Sequence, residues 1–294
     1  MTTAATEKFT RSNRRFGAHG YFGVSIMLLS QILMFAKLEP VYSWFTPIQW
    51  TGYVLFLDAL RLKLRGESYL LHRPREFLLM LLVSDLCWFM FEGYNLHLQN
   101  WYYTNLPENM AVRVFGYMWA FATVTPGVVL TSEALDDLGA FRGATVRPRR
   151  ISKTLVRTLM GVGVVFCLVP LMVPRNVAIF LFAPVWVGFV LLVDPINYRR
   201  GMPSLLGELE KGSAQKLLSL FLAGLICGVL WEFWNYWAGR KWIYSVPYFS
   251  RPKVFEMPLY GFLGFLPFAA ECYVIWQLAL LLKASVTSHA QGRG

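Results

Sequence analysis

Two stretches of this chain repeat one another, and that repetition limits the fold more than any other feature. Residues 45–58 read FTPIQWTGYVLFLD, and residues 182–194 read FAPVWVGFVLLVD. One insertion aligns Trp50 with Trp186, Gly52 with Gly188 and Asp58 with Asp194. A Gly and a Ser follow each copy, Gly66 and Ser68 in the first, Gly201 and Ser204 in the second. Further on, Cys87, Glu92 and Asn95 match Cys227, Glu232 and Asn235 in spacing. Each Glu is followed 15 residues later by a Pro (Pro107 or Pro247), with Trp-Tyr-Tyr at 101–103 or Trp-Ile-Tyr at 242–244 between them. A tandem duplication with an offset of about 136 to 140 residues accounts for the pattern. The repeat is too long and too apolar for a solenoid. Two copies of an apolar unit, each carrying a carboxylate, direct attention to a site between the halves.

The apolar fraction is 56% and the charged fraction 15%, against about 25% charged residues in soluble domains. Eight segments have nearly the length needed to cross about 30 Å of hydrocarbon. They lie near 21–38, 45–62, 77–98, 111–132, 154–173, 177–195, 215–237 and 256–282. The second and sixth are the least regular, each with Pro near its start (Pro47, Pro184) and Asp near its end (Asp58, Asp194). The expected fold is all-α: a polytopic membrane protein of about eight transmembrane helices, arranged as two tandem four-helix repeats of parallel orientation. The expected organisation is an arm at 1–20, membrane repeat 1 at 21–140, a basic linker at 141–153, membrane repeat 2 at 154–283 and a frayed tail at 284–294.

Net charge is +11, but the cations gather in particular loops rather than in a nucleic-acid patch. Clusters at Lys8–Arg15, Arg61–Arg75, Arg142–Arg157, Arg199–Lys216 and Lys283–Arg293 hold 21 of the 28 basic residues. The positive-inside rule then puts both termini in the cytoplasm, with the protein in the inner membrane of a bacterial cell. Four spans per repeat keep both repeats in one orientation, with a pseudo-two-fold axis along the membrane normal. The first segment does not read as a cleaved signal, because no small-x-small site follows Phe35-Ala-Lys-Leu-Glu39. No nucleic-acid partner is expected. A membrane lipid or apolar substrate is, together with a homo-oligomeric contact or a membrane-complex partner.

All four cysteines, Cys87, Cys167, Cys227 and Cys272, fall within apolar segments and read as small buried hydrophobes. The histidines, at 19, 72, 97 and 289, form no helix-spaced pair, which argues against haem or di-iron ligation. No phosphate-binding glycine loop and no HExxH motif occur. No metal and no cofactor is expected, and the chemistry left is acid–base catalysis by side chains.

A carboxylate within a span costs roughly 2.5–3.5 kcal/mol on insertion scales, so each needs a reason. Glu232 and Asn235 are three residues apart and share a helix face in Trp231-Glu232-Phe-Trp234-Asn235-Tyr236-Trp237. Gly228, one turn below, should leave space beside Glu232. The chain returns through Trp242, Tyr244 and Pro247 to Glu256-Met-Pro258-Leu-Tyr260. Pro258 suits the first turn of a helix, which puts Glu256 at the same depth as Glu232. One such acid can protonate an olefin, aromatic faces stabilise the resulting cation by about 0.5–2 kcal/mol each, and a second carboxylate removes a proton. The expected catalytic set is Glu232, Glu256, Asn235 and Glu92. Trp231, Trp234, Trp242, Tyr244 and Tyr260 are the expected substrate-binding set. The same residues also fit the aromatic belt of any membrane interface. Glu271 puts a further carboxylate inside the last segment. Asp58 and Asp194 are expected to pair with Arg61 and with Arg199 or Arg200, fixing the fold.

The order Glu232, Trp242-Ile-Tyr244, Glu256-Met-Pro258-Leu resembles the integral-membrane lycopene cyclase domain of actinobacterial and fungal carotenoid pathways. The resemblance spans about 50 residues and implies proton-initiated cyclisation of a polyene without net redox change. Pro258-Leu-Tyr-Gly261 stands where that family has an adjacent acidic pair after Pro-Leu. The leading expectation is a cofactor-free acid–base membrane enzyme, of cyclase or isomerase type, on an isoprenoid, carotenoid-like or other lipid substrate. A proton-coupled transporter and a structural or assembly subunit of a membrane complex compete with it.

Overall fold

The computed structural model of the protein describes residues 14–247 and 250–291. Residues 1–13 of the expected arm, Tyr248 and Phe249, and the last three residues lie outside that description. The chain is mostly helical, and among the described residues six helical stretches are long and apolar enough to cross a membrane: Ala18–Phe35, Pro74–Leu98, Met110–Leu138, Lys153–Met172, Gln215–Trp237 and Leu259–Val286. They mark a membrane protein.

In chain order, α1 (Ala18–Phe35) and α2 (Phe45–Arg65) form a hairpin, followed by short α3 (Tyr69–His72) and long α4 (Pro74–Leu98). Strand β1 (Trp101–Thr104) leads to α5 (Met110–Ala122) and α6 (Val124–Leu138), which are nearly continuous. Then come α7 (Lys153–Met172), short α8 (Arg175–Ala178), α9 (Phe182–Arg199), short α10 (Leu205–Glu210) and α11 (Gln215–Trp237). Strands β2 (Lys241–Tyr244), β3 (Lys253–Val254) and β4 (Met257–Pro258) and a 3₁₀ turn (Leu259–Gly264) precede α12 (Phe265–Gln291). Two of the eight expected segments, now α2 and α9, are long enough but fall short of the apolarity of a span. Asp58, Arg61, Lys63 and Arg65 interrupt α2, and Asp194 and Arg199 interrupt α9. Helix α12 continues to Gln291, beyond the expected start of a tail at 284.

Glycines set how closely the paired helices approach. A Cβ on Gly23 would lie 2.4 Å from the Gly52 carbonyl oxygen, so α1 and α2 touch backbone to backbone. A Cβ on Gly163 would lie 2.8 Å from the Gly188 carbonyl, the same close approach between α7 and α9. The inner helices α4, α6, α11 and α12 hold much of the core. Where α11 meets α12, Gly224 lies against the Phe265 carbonyl. Gly228 lies against the Phe265 ring, so the space expected beside Glu232 is filled. Where α4 meets α6, Ser84 Oγ donates to the Phe121 carbonyl and accepts from Thr125 N–H.

One end of the bundle is basic and ion-paired, the other aromatic. At the basic end, Ser68, Ser152 and Ser204 cap α3, α7 and α10 by accepting from Leu71, Leu155 and Gly207 N–H. The expected arginine pairing of Asp58 and Asp194 is not what forms. Asp58 accepts from Ser68 Oγ and Tyr69 N–H. Asp194 accepts from Leu205 and Leu206 N–H at 2.7 and 2.8 Å. The first turn of a short helix exposes unpaired amides, and a carboxylate satisfies two of them at once. Arg61 instead pairs with Glu67 and Glu133, Arg65 with Asp137 and Lys216 with Asp136.

The aromatic end departs from the all-α expectation, because β1 and β2 pair antiparallel across it. Pro258 stands just before the 3₁₀ turn rather than in the first turn of an α-helix. It pairs with Lys253 in the β3–β4 ribbon, and the helix proper begins seven residues later, at Phe265.

Candidate functional site

The site is built by two turns with the same chemistry. At the end of α4, Asn95 Nδ2 donates to the Trp101 carbonyl at 2.8 Å, and its Oδ1 accepts from Asn100 and Trp101 N–H. At the end of α11, Asn235 Nδ2 donates to the Trp242 carbonyl at 2.8 Å, and its Oδ1 accepts from Trp242 N–H at 2.9 Å. Each asparagine thus substitutes for a strand neighbour and aims the chain leaving its helix. The strands so aimed pair Trp101 with Tyr244 and Tyr103 with Trp242. Opposed residues share a face of the sheet, and side chains alternate along a strand, so these four point the same way.

That face closes a cavity of about 150 Å³. Its inner walls are Trp50, Trp88, Trp186, Trp231, Phe265 and Phe268. The rings support one another: Trp50 lies 4.5 Å from Trp231, and Phe268 lies 5.9 Å from Trp88 and 6.0 Å from Trp186. Trp44, Arg113, Arg240 and Lys241 complete the lining nearer the loops.

Neither Glu92 nor Glu232 lines the cavity; each lies behind its aromatic wall. Tyr244 Oη donates to Glu232 Oε1 at 2.8 Å and accepts from Trp242 Nε1 at 2.9 Å. Glu232 is fully buried, and its Oε2 has no hydrogen-bond partner among the described residues. Tyr103 Oη, Trp101 Nε1 and Trp88 Nε1 all donate to Glu92 Oε1, at 2.5, 3.0 and 3.2 Å. On the cavity wall, Tyr103 and Tyr244 thus each reach through the hydroxyl to a carboxyl group behind it. Burial, reinforced by the adjacent glutamate, pushes both hydroxyls well above the ordinary tyrosine range. Both are neutral hydrogen-bond donors at neutral pH.

The other expected residues scatter. Trp231, Trp242 and Tyr244 are on the wall. Trp234 is buried one layer out, 5.0 Å from Trp50. Tyr260 is 56% exposed and Glu256 pairs with Lys241 at 2.6 Å, so neither faces the cavity. Asn235 is structural in its contacts. Trp50, Trp88, Trp186, Tyr103, Arg113 and Arg240 also line the cavity, beyond the residues expected from the sequence. For Trp50 and Trp186 a signal exists, since both sit in the repeated stretch. Glu271 lies one helical turn beyond Phe268, fully buried, with neither oxygen partnered among the described residues.

Comparison with protein-family models, with curated proteins and with solved structures returns no match.

Proposed function

We propose that the protein is a membrane enzyme that rearranges an isoprenoid or related lipid by acid–base chemistry, without cofactor, in the tryptophan-walled cavity. The observation that carries this reading is the pair of tyrosine hydroxyls on one apolar wall, each hydrogen-bonded to a glutamate behind it. In the reaction, the Tyr244 hydroxyl turns to give its own proton to one carbon of a substrate double bond and takes the proton held by the Glu232 carboxyl in its place. The carbocation that forms is stabilised by the faces of Trp50, Trp88 and Trp231. A proton then leaves a neighbouring carbon through Tyr103 to Glu92. One proton enters and one leaves, so the product is an isomer or a ring, with no net oxidation. The likeness of Glu232, Trp242-Ile-Tyr244 and Glu256-Met-Pro258 to the membrane lycopene cyclases supports the same class.

Eight helices in two parallel four-helix units, with both termini cytoplasmic, is the arrangement we attach to this function. Its support is the matched pairs already described: Gly23–Gly52 with Gly163–Gly188, Asp58 with Asp194, and Asn95 with Asn235. The cavity then opens away from the cytoplasm.

The test is mass spectrometry of total membrane lipids and pigments in a deletion strain, complemented with wild type or with Glu232→Gln at matched protein level. A metabolite lost on deletion and restored only by wild type supports the enzyme. A profile identical in all strains rejects it. One observation favours a proton-coupled transporter instead, namely Glu271, deep among the apolar helices and unpartnered among the described residues. In that case Glu271→Gln abolishes proton-dependent flux while the lipid profile stays constant.

A further inference from the structure

We propose that the mouth of the cavity is a phosphate-headgroup site, and that the ligand is a short apolar chain ending in phosphate or diphosphate, seated tail inward. This deepens the proposed function, on whose lipid-binding cavity it rests, but it requires no turnover. Three cations line the cavity near the loops, and they are not equivalent. Lys241 is neutralised by Glu256. Arg113 uses Nε and Nη2 on the Pro107 carbonyl, at 3.0 and 2.7 Å, and has no carboxylate partner among the described residues. Arg240 has neither a hydrogen bond nor an ion pair among them, and its Nη1 is buried. Its guanidinium lies 4.9 Å over the Trp44 ring.

The loop that presents Arg240 is fastened on both sides. Gly239 N–H donates to the Tyr42 carbonyl, and Asn105 Nδ2 donates to the Gly239 carbonyl at 2.8 Å. A guanidinium held in place, half-buried and lacking an anion is costly, and an anionic ligand offsets that cost. Planar guanidinium groups suit the oxygens of a phosphate, which they bind in bidentate fashion. Inward of the mouth the wall is aromatic, with no exposed charge, so the charged end stays outside. The volume of about 150 Å³ matches an engineered cavity that takes up one benzene. An apolar end of about six carbons fills it.

The full-length protein in nanodiscs of zwitterionic lipid would be titrated with geranyl diphosphate, geraniol and inorganic pyrophosphate, following tryptophan fluorescence. Geranyl diphosphate is expected to bind, with geraniol and pyrophosphate each at least tenfold weaker. Arg240→Gln and Arg113→Gln are each expected to weaken the diphosphate tenfold or more and to leave geraniol unchanged. Should Arg240→Gln fail to fold, Arg240→Lys keeps the charge without the planar fork and is expected to weaken the diphosphate as well. Geraniol binding as tightly as the diphosphate overturns the headgroup site. Pyrophosphate binding as tightly overturns the lipid ligand in favour of a free anion. Unchanged diphosphate binding by both folded arginine variants overturns the assignment of the mouth. Glu232→Gln is expected to bind geranyl diphosphate like wild type. Tight binding with a lipid profile indifferent to Glu232→Gln therefore rejects the enzyme while keeping this site, and the converse pattern does the opposite.

Discussion

The turn at Glu92 and the turn at Glu232 share a plan and differ in one respect that decides their chemistry. Both carboxyls sit three residues before an asparagine that anchors a strand, and both meet a tyrosine from that strand. Glu92 has three donors converging on a single oxygen and is only partly buried. Glu232 is fully buried and leaves Oε2 without a partner among the described residues. An oxygen that already accepts three donors leaves the other oxygen of its carboxylate to take up a proton. A carboxyl oxygen that no donor faces has room to carry a proton. The same local motif, solvated differently, serves both ends of a proton transfer.

The sharpest way to break this comparison is to neutralise each carboxyl in turn. Glu232→Gln is expected to lower product by about 10²–10⁴-fold, the usual worth of a positioned acid, with folded protein retained. Glu92→Gln is expected to lose at least tenfold less, because a cation can also shed its proton to water at the mouth. Equal losses, measured as product per unit of folded protein, would mean that the two turns are not specialised.

The tyrosines probe the same asymmetry at smaller scale. Tyr244→Phe removes the hydroxyl bonded to Glu232 Oε1, and about 10²-fold loss of product is expected. Tyr103→Phe leaves Glu92 with Trp88 and Trp101, so a loss of no more than about tenfold is expected. The reverse order would assign the entering proton to Glu92.

The asparagines test what is common to the two turns rather than what differs. Asn95→Ala and Asn235→Ala each leave backbone groups of a tryptophan unpaired, at about 1–3 kcal/mol for each unsatisfied group. Both are expected to lower the midpoint of thermal unfolding in detergent by similar amounts. Lys241→Gln removes a partly exposed pair with Glu256, worth about 0–1 kcal/mol, and is expected to shift that midpoint least. A large shift would show that the β2 edge, rather than Asn235, holds this wall.

Much of this was legible in the chain, and the boundary follows the range of the forces involved. The helical period alone places Glu232 with Asn235, and Glu92 with Asn95, on one face. Serine before an apolar run announces the caps at Ser152 and Ser204. The partners of Asp58 and Asp194 were not legible. Arg61 is one helical turn from Asp58, whereas the amides of α3 and α10 reach the aspartates only after the chain has reversed direction.

Apolarity by itself therefore determined that this protein is a set of long membrane helices, because hydrocarbon length and backbone satisfaction leave no other spanning form for such segments. The repeated residues by themselves determined that two carboxyl–asparagine turns exist. Tertiary structure alone decided that tyrosines stand between those carboxyls and the cavity, since that depends on β1 pairing with a strand 140 residues away. It alone brought Trp50, Trp88, Trp186 and Trp231 together from four helices and left Arg240 at the mouth without a counter-charge among the described residues. Such convergence has no local signal, because what a side chain faces is set by the packing of distant segments.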